Sequence, residues 1–276
     1  RGLAGRVMVN NLHPLSVHQG MKLATDLSYE YVQDRFRPVE RLRNVEFNRD
    51  WGLAYDAGAA TENLFSGSVG LQGIAGRLVR YSLSTYTRSD GYHGMRNAFL
   101  HQGEWGSWRF NNFLQYTSID DSRQAGYFLR PSIDVARRFR KLGDHTAGFQ
   151  YSMERNKLGY KAYDSLNLSS FSFSTWKIYV KSPDNRPNKW GMSYFVRSDH
   201  YPLGKELVRA DRSSNVNLYT ELLASEHHQF RLNTTYRKLN ILDPRFTTLK
   251  ADQTLLGRAE YLANVWNGGV SGNVLY

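Results

Sequence analysis

The chain has 276 residues, 41% of them hydrophobic, with a mean hydropathy of −0.57, so one buried face is possible and a chain apolar all round is excluded. It has no cysteine, which excludes a disulfide framework, a thiolate nucleophile and a cysteine-ligated metal. The formal charge of +11 is spread along the chain and points to anionic partners: a membrane surface, phosphorylated glycolipid or nucleic acid.

Residues 1–19 read as a short apolar start and then a loop at Asn10, Asn11 and Pro14. Alternation begins at Met21. Met21, Leu23, Thr25, Leu27, Tyr29 and Tyr31 share one parity against Lys22, Ala24, Asp26, Ser28 and Glu30. A period of two places successive side chains on opposite sheet faces. A helix would instead align Lys22, Asp26 and Glu30, but the β-branched and aromatic content favours a strand. Residues 33–41 form a charged loop with Pro38, and Asn44 to Leu53 is expected as a strand with Val45, Phe47, Trp51 and Leu53 in phase. Residues 54–62 read as a loop. Leu64 to Gly73 is a glycine-rich strand; no Gly-Lys-Ser/Thr follows its glycines, so they mark curvature or close packing rather than a phosphate loop.

Arg77 to Arg88 alternates again, with Val79, Tyr81, Leu83 and Thr85 opposite Arg80, Ser82 and Ser84. After a loop at 88–94, Met95 to Gly103 rises to a turn, and Trp108, Phe110, Asn112, Leu114 and Tyr116 line one face of the next strand. Ile119 to Gln124 reads as a polar loop. Tyr127 to Arg138 resumes, and Pro131 suggests an edge, a bulge or a strand end. The basic cluster of residues 137–144 holds a Leu-Gly-Asp turn. Then Ala147, Phe149, Tyr151 and Met153 alternate with Thr146, Gly148, Gln150, Ser152 and Glu154. A long loop is expected at 156–168, and Ser169 to Lys181 is a strand with a parity switch near Thr175, as a bulge would give.

Trp190, Met192, Tyr194 and Val196 are in phase over Lys189 to Ser198. Residues 199–214 read as a loop with a short strand at Glu206–Arg209. Asn215 to Lys238 is the clearest hairpin: Val216, Leu218, Thr220, Leu222 and Ala224, then Phe230, Leu232, Thr234 and Tyr236, form its apolar face around a turn at Ser225–Gln229. Residues 242–253 form a loop with Pro244. Gln253 to Trp266 and Val270 to Tyr276 read as a last hairpin around Asn267–Gly269.

About a dozen strands of roughly 8–13 residues and no helix result, an all-β antiparallel up-and-down meander. Short turns near 103–107, 141–144 and 225–229 lie at one end, and longer loops near 88–94, 119–125, 156–168, 199–214 and 242–253 at the other. Residues 1–276 read as a single unit, an excerpt of something longer. No run of about 18 apolar residues exists to form a spanning helix, but spanning strands alternate and escape that test. Ten residues tilted near 45° rise about 23 Å, close to the roughly 25 Å apolar band of an outer-membrane barrel.

On strands 21–31, 77–87, 108–117, 145–155, 189–198 and 215–238 the chain resembles bacterial outer-membrane β-barrel proteins. The ending Val-Ser-Gly-Asn-Val-Leu-Tyr, with Val270, Val274 and Tyr276 in one parity, looks like the targeting signal that closes such barrels, although Gly272 departs from the apolar pattern. The resemblance implies a transmembrane β-barrel or a large part of one, in the outer membrane of the bacterial cell envelope. Its role there would be passage, export or surface anchoring. Outer-membrane lipid or lipopolysaccharide, and other envelope proteins, are the expected partners.

Arg137, Arg138, Arg140 and Lys141 are the candidate ligand-binding residues, where guanidinium forks suit lipid phosphate; a solvated strand end is the plainer reading. Trp108, Trp190, Tyr194 and Trp266 are candidates for interfacial girdles or core packing. His227-His228 cannot converge on one metal from a strand, and Asp120-Asp121 lacks the spaced oxygens of a calcium loop. No HExxH, GxSxG or phosphate-binding lysine loop occurs, so no catalytic residue, metal or cofactor is expected. The alternative is a soluble or surface-attached β-sheet module that binds anionic glycan or lipopolysaccharide. Nucleic acid is not expected, because the aromatics share the apolar rather than the basic parity.

Overall fold

In a computed structural model, residues 2–14, 20–36, 45–53, 59–73, 76–225, 228–241, 251–265 and 268–275 are described. Fourteen strands form one sheet in sequence order, each antiparallel to the next. They are β1 (Ala4–Pro14), β2 (Lys22–Val32), β3 (Glu62–Gln72), β4 (Leu78–Arg88), β5 (His93–Trp105), β6 (Trp108–Asp120) and β7 (Gln124–Phe139), followed by β8 (His145–Tyr160), β9 (Phe171–Lys181), β10 (Lys189–Leu203), β11 (Glu206–Ser225), β12 (His228–Ile241), β13 (Ala251–Val265) and β14 (Gly268–Leu275). No β1–β14 pairing joins the two edges among the described residues.

Register carries the alternation from strand to strand. Tyr81 faces Val69 and Phe99, Phe99 faces Leu114, Phe149 faces Ile178, and Met192 faces Val180 and Leu218. Because side chains repeat every two residues, an in-register ladder merges the apolar parities into one face. On that outer face Leu27, Ile178, Met192 and Leu218 are each about half exposed. The opposite face carries Arg80, Arg96, Gln115, Thr117, Arg130 and Asn156, and it is there that buried residues gather.

The one α-helix among the described residues corrects the strand expected over Asn44 to Leu53. α1 spans Val45–Asp50 between β2 and β3. Arg49 breaks the two-residue period there, whereas Phe47 and Trp51 stand four apart, on one side of a helix. Gly52, at φ +62°, ends the turn in the left-handed region. Trp51 is buried with Tyr86 (β4), Tyr92 (before β5), Ile119 (β6), Phe128 (β7) and Leu158 (β8), and Phe47, Leu53 and Leu64 pack against them. Flat strands would spread β4 to β8 over about 19 Å. One cluster touches them all because the sheet wraps around it, so the polar face is the inner one.

Other expectations shift as well. Asn10 and Asn11 lie in β1, paired with Asp26 and Thr25, because an edge strand exposed on both faces needs no apolar alternation. The loops expected at Ile119–Gln124 and 199–214 are tight turns. In the second, Asp199 pairs with Asp211 but His200 with Arg209, so Ala210 is a bulge that hides the period. The bulge expected near Thr175 is absent from the ladders of β9: Phe171 and Phe173 simply face inward, stacked at 6.2 Å. Pro131 sits inside an internal strand, where the β7–β8 ladder skips residues 130–131 and resumes in the same register. β8 extends to Tyr160, shortening the loop expected at 156–168. The asymmetry of the two ends is therefore partial. At the α1 end, 33–61 and 161–170 are long connections and 89–92, 121–123 and 204–205 are short, while residues 242–250 of the loop expected at 242–253 lie outside the described residues.

Candidate functional site: the polar inner face

At one end of the inner face, α1 is latched to the wall. Asp50 Oδ1 accepts a hydrogen bond from Arg130 Nη1 at 2.8 Å, and Arg130 also reaches Glu154 Oε1 at 3.0 Å. Arg96 Nη2 donates to the main-chain oxygen of Asp50 at 3.0 Å, satisfying a carbonyl that a helix C-terminus leaves open. A carboxylate is unfavourable at that negative end of the helix dipole, and two wall arginines offset it. The Arg96 guanidinium lies 4.4 Å over the Trp51 ring, and Gly94 leaves the room: a Cβ there would sit 2.7 Å from that ring. Tyr92 Oη donates to Trp51 O at 2.5 Å, and burial pushes its pKa above the ordinary tyrosine value. Asn167 donates to Gln124, which donates to Gly52 O, so the 161–170 connection braces the same latch.

Farther along the inner face is an open hollow of about 500 Å³ lined by residues from β6 to β12. Two tyrosines lie flat in it. A Cβ on Gly148 would meet the Tyr179 ring at 2.4 Å, and one on Gly191 the Tyr219 ring at 2.1 Å; each glycine is the cross-strand partner of that tyrosine. Tyr179 Oη donates to Asp134 Oδ1 at 3.1 Å and accepts from Arg109 Nη2 at 3.2 Å, linking β6, β7 and β9. Lys181 is held by Asp184 at 2.8 Å, which lowers the Asp184 pKa in its exposed turn. Lys177, 5.6 Å from the Tyr179 ring centroid, has no carboxylate partner among the described residues. The buried Oδ1 of Asn217 also lacks a hydrogen-bond partner there.

The sequence-derived cluster lies at the opposite end from α1. Arg137 and Arg138 point to opposite faces, and Arg140 and Lys141 sit on a 3-10 turn ended by Gly143 at φ +74°. All four nevertheless border one cleft of about 420 Å³ between that turn and the turn at 106–107. The Arg137 guanidinium lies 5.4 Å from both Trp108 and Phe139, on the outer side. Trp105, Trp108 and Trp190 are exposed near it at the same end, whereas Tyr29 with Phe65 and Tyr116 stacked on Tyr127 occupy the α1 end of the outer face. Tyr194 packs edge-on against Trp176 at 5.5 Å; Trp266 lies outside the described residues.

Asp121 caps its own turn through the amides of Arg123 and Gln124, and Asp120 pairs with Lys161. His228 stacks on Tyr261 and bonds its hydroxyl; His227 and Tyr276 lie outside the described residues. Sequence reasoning missed the latch, because its partners, Asp50, Arg96 and Arg130, are 46 and 80 residues apart. Recurrent inward arginines were the only local signal.

Fold and inner face define an all-β, up-and-down antiparallel sheet that is apolar outside, polar inside, and holds a helical segment against its inner wall. No protein-family model matches the chain, and a comparison with curated proteins finds no match.

Proposed function

We propose that this sheet is the wall of an outer-membrane β-barrel serving passage, export or surface anchoring in the bacterial envelope, with no catalytic chemistry. The carrying observation is the exposed apolar outer face with aromatic rows at both ends. From Tyr127 to Arg137 the outer face of β7 spans ten residues, about 33 Å along the strand. At a tilt of 35–45° this is about 25 Å, the height of an outer-membrane apolar band. A water-soluble sandwich would cover that face with a second sheet, and the polar parity would then be the exposed one.

On this reading Arg137, Arg138, Arg140 and Lys141 contact lipid phosphate at the turn end, beside the exposed tryptophans. The second reading, a surface-attached module for anionic glycan or lipopolysaccharide, is favoured by the same basic cleft. Fractionation of the native full-length protein separates the two. Retention in the outer-membrane pellet through alkaline carbonate and high-salt washes is the expected result. Release by salt favours the surface-attached module, and recovery in the soluble fraction refutes the barrel.

A further inference from the structure

We propose that the inner hollow is a binding site for a sugar carrying one anionic group, a carboxylate or a phosphate. The inference rests on the barrel reading only in taking the inner face as the wet one. The hollow's volume of about 500 Å³ falls within the roughly 300–1,000 Å³ of small-molecule sites.

Its chemistry has three parts. Tyr179 and Tyr219 lie down on glycines, so one face of each ring is covered by backbone; both rings line the hollow, with the Lys177 amine 5.6 Å from the Tyr179 centroid. Flat rings held this way are preorganised platforms for the C–H face of a pyranose, and little side-chain entropy is lost when a ligand lands on them. Lys177 supplies a cation with no carboxylate partner among the described residues, and Arg109 adds a guanidinium whose bond is to a neutral phenol. Between them they offer one anion a charge-assisted seat. Asn217 and Asn233 line the hollow and supply amides suited to hydroxyls. A simple anion path would need the cations but neither the flat tyrosines nor the amides. A nucleobase would use the rings and the amides but would leave Lys177 and Arg109 without an anion.

The test is calorimetric titration of the full chain, in detergent micelles, with glucuronate, glucose 6-phosphate, glucose and inorganic phosphate. Both anionic sugars are expected to bind, with glucose and phosphate each at least about tenfold weaker, a difference of about 1.4 kcal/mol. Lys177→Met should weaken both anionic sugars about tenfold and leave glucose unchanged. Asn217→Asp, which sets a second negative charge in the hollow, should weaken them further. Heat-modifiable gel migration of each variant verifies folding. Phosphate binding as tightly as the sugars, glucose binding equally well, tighter binding of adenosine monophosphate, or no effect of Lys177→Met in a folded variant would each overturn the proposal. Fractionation decides the membrane reading independently, so the two failures are distinguishable.

Discussion

Replacing Asp50 by Ala tests whether α1 is held to the wall by charge. Asp50 is 29% exposed, Arg130 16% and Arg96 21%, so the site is neither dry nor fully screened. Removing one partner of a fully buried pair costs about 3–5 kcal/mol, because the other charge is stranded. Here Arg130 keeps Glu154, and Arg96 keeps both the main-chain oxygen of residue 50 and the Trp51 ring. The cost is therefore the loss of one charge-assisted hydrogen bond, about 1.5 kcal/mol. It falls on local opening of the latch, since the sheet ladders do not pass through α1. Hydrogen exchange reads it directly: the amides of Trp51, Gly52 and Leu53 bond Phe47, Arg49 and Asn48 carbonyls inside the helical turn. In Asp50→Ala they should exchange about tenfold faster while amides of β7 and β8 keep their protection. Arg130→Ala should do the same, and the double variant should fall short of the sum of the singles. Equal protection of the three amides in wild type and Asp50→Ala would refute the latch.

Three further outcomes are expected. Gly126→Ala should destabilise the β7–β8 ladder by about 1–3 kcal/mol or more in chemical denaturation, because its Cβ would sit 2.0 Å from the main-chain oxygen of Lys157; Gly5→Ala, with nothing within 4 Å, should cost no more than about 0.5 kcal/mol. For Tyr92 the pKa is raised in the folded chain, so the neutral phenol is the stabilising form: its contribution is complete below the ordinary value of 10.0 and is lost as pH rises beyond it. Tryptophan fluorescence should therefore report loosening around Trp51 only on the alkaline side of that value, and Tyr92→Phe should abolish this step; the same step in Tyr92→Phe would refute the assignment. Leu218→Lys, on the outer face between Met192 and Thr234, should reduce stability in lipid bilayers by about 2–4 kcal/mol, and unchanged insertion would contradict the outward assignment.

Where a strand alternates cleanly, the sequence was enough. The parity of Val79, Tyr81 and Leu83, of Phe149 and Tyr151, and of Leu218 and Leu222 is the parity that faces outward. That held because one residue of slip would turn every side chain to the other face, so the pattern and the register constrain each other. Legibility failed where something other than the sheet period placed the residues. Phe171 and Phe173 are aromatic yet face inward, and Arg197 stacks 4.2 Å from the Phe173 ring. Residues 199–214 are rich in charge because Asp199 and Asp211 sit on the polar face, with Arg197 bonding Asp199 at 2.7 Å; charge there marked the inner wall rather than a loop. Of the four basic residues singled out, alternation alone sends Arg137 and Arg138 apart, and only the neighbouring 106–107 turn gathers all four at one cleft.

The inner face shows why such a chain leaves so faint a functional signature. Its apolar residues answer to one requirement, an outward parity repeated across successive strands, and many sequences meet it. Its polar residues act through neighbours several strands away: Arg109 reaches Tyr179 across two intervening strands, 70 residues along the chain, and Asp50 reaches Arg130 across 80. No short motif can encode those distances. What sequence does encode is the room each contact needs. Gly94 lies under Trp51, Gly148 under Tyr179 and Gly191 under Tyr219. A glycine inside a strand weakens it and needs a reason, and here the reason is a ring laid on the backbone from the neighbouring strand or from α1. Inward glycines opposite inward tyrosines are therefore the feature by which a hollow of this kind can be sought in other alternating chains.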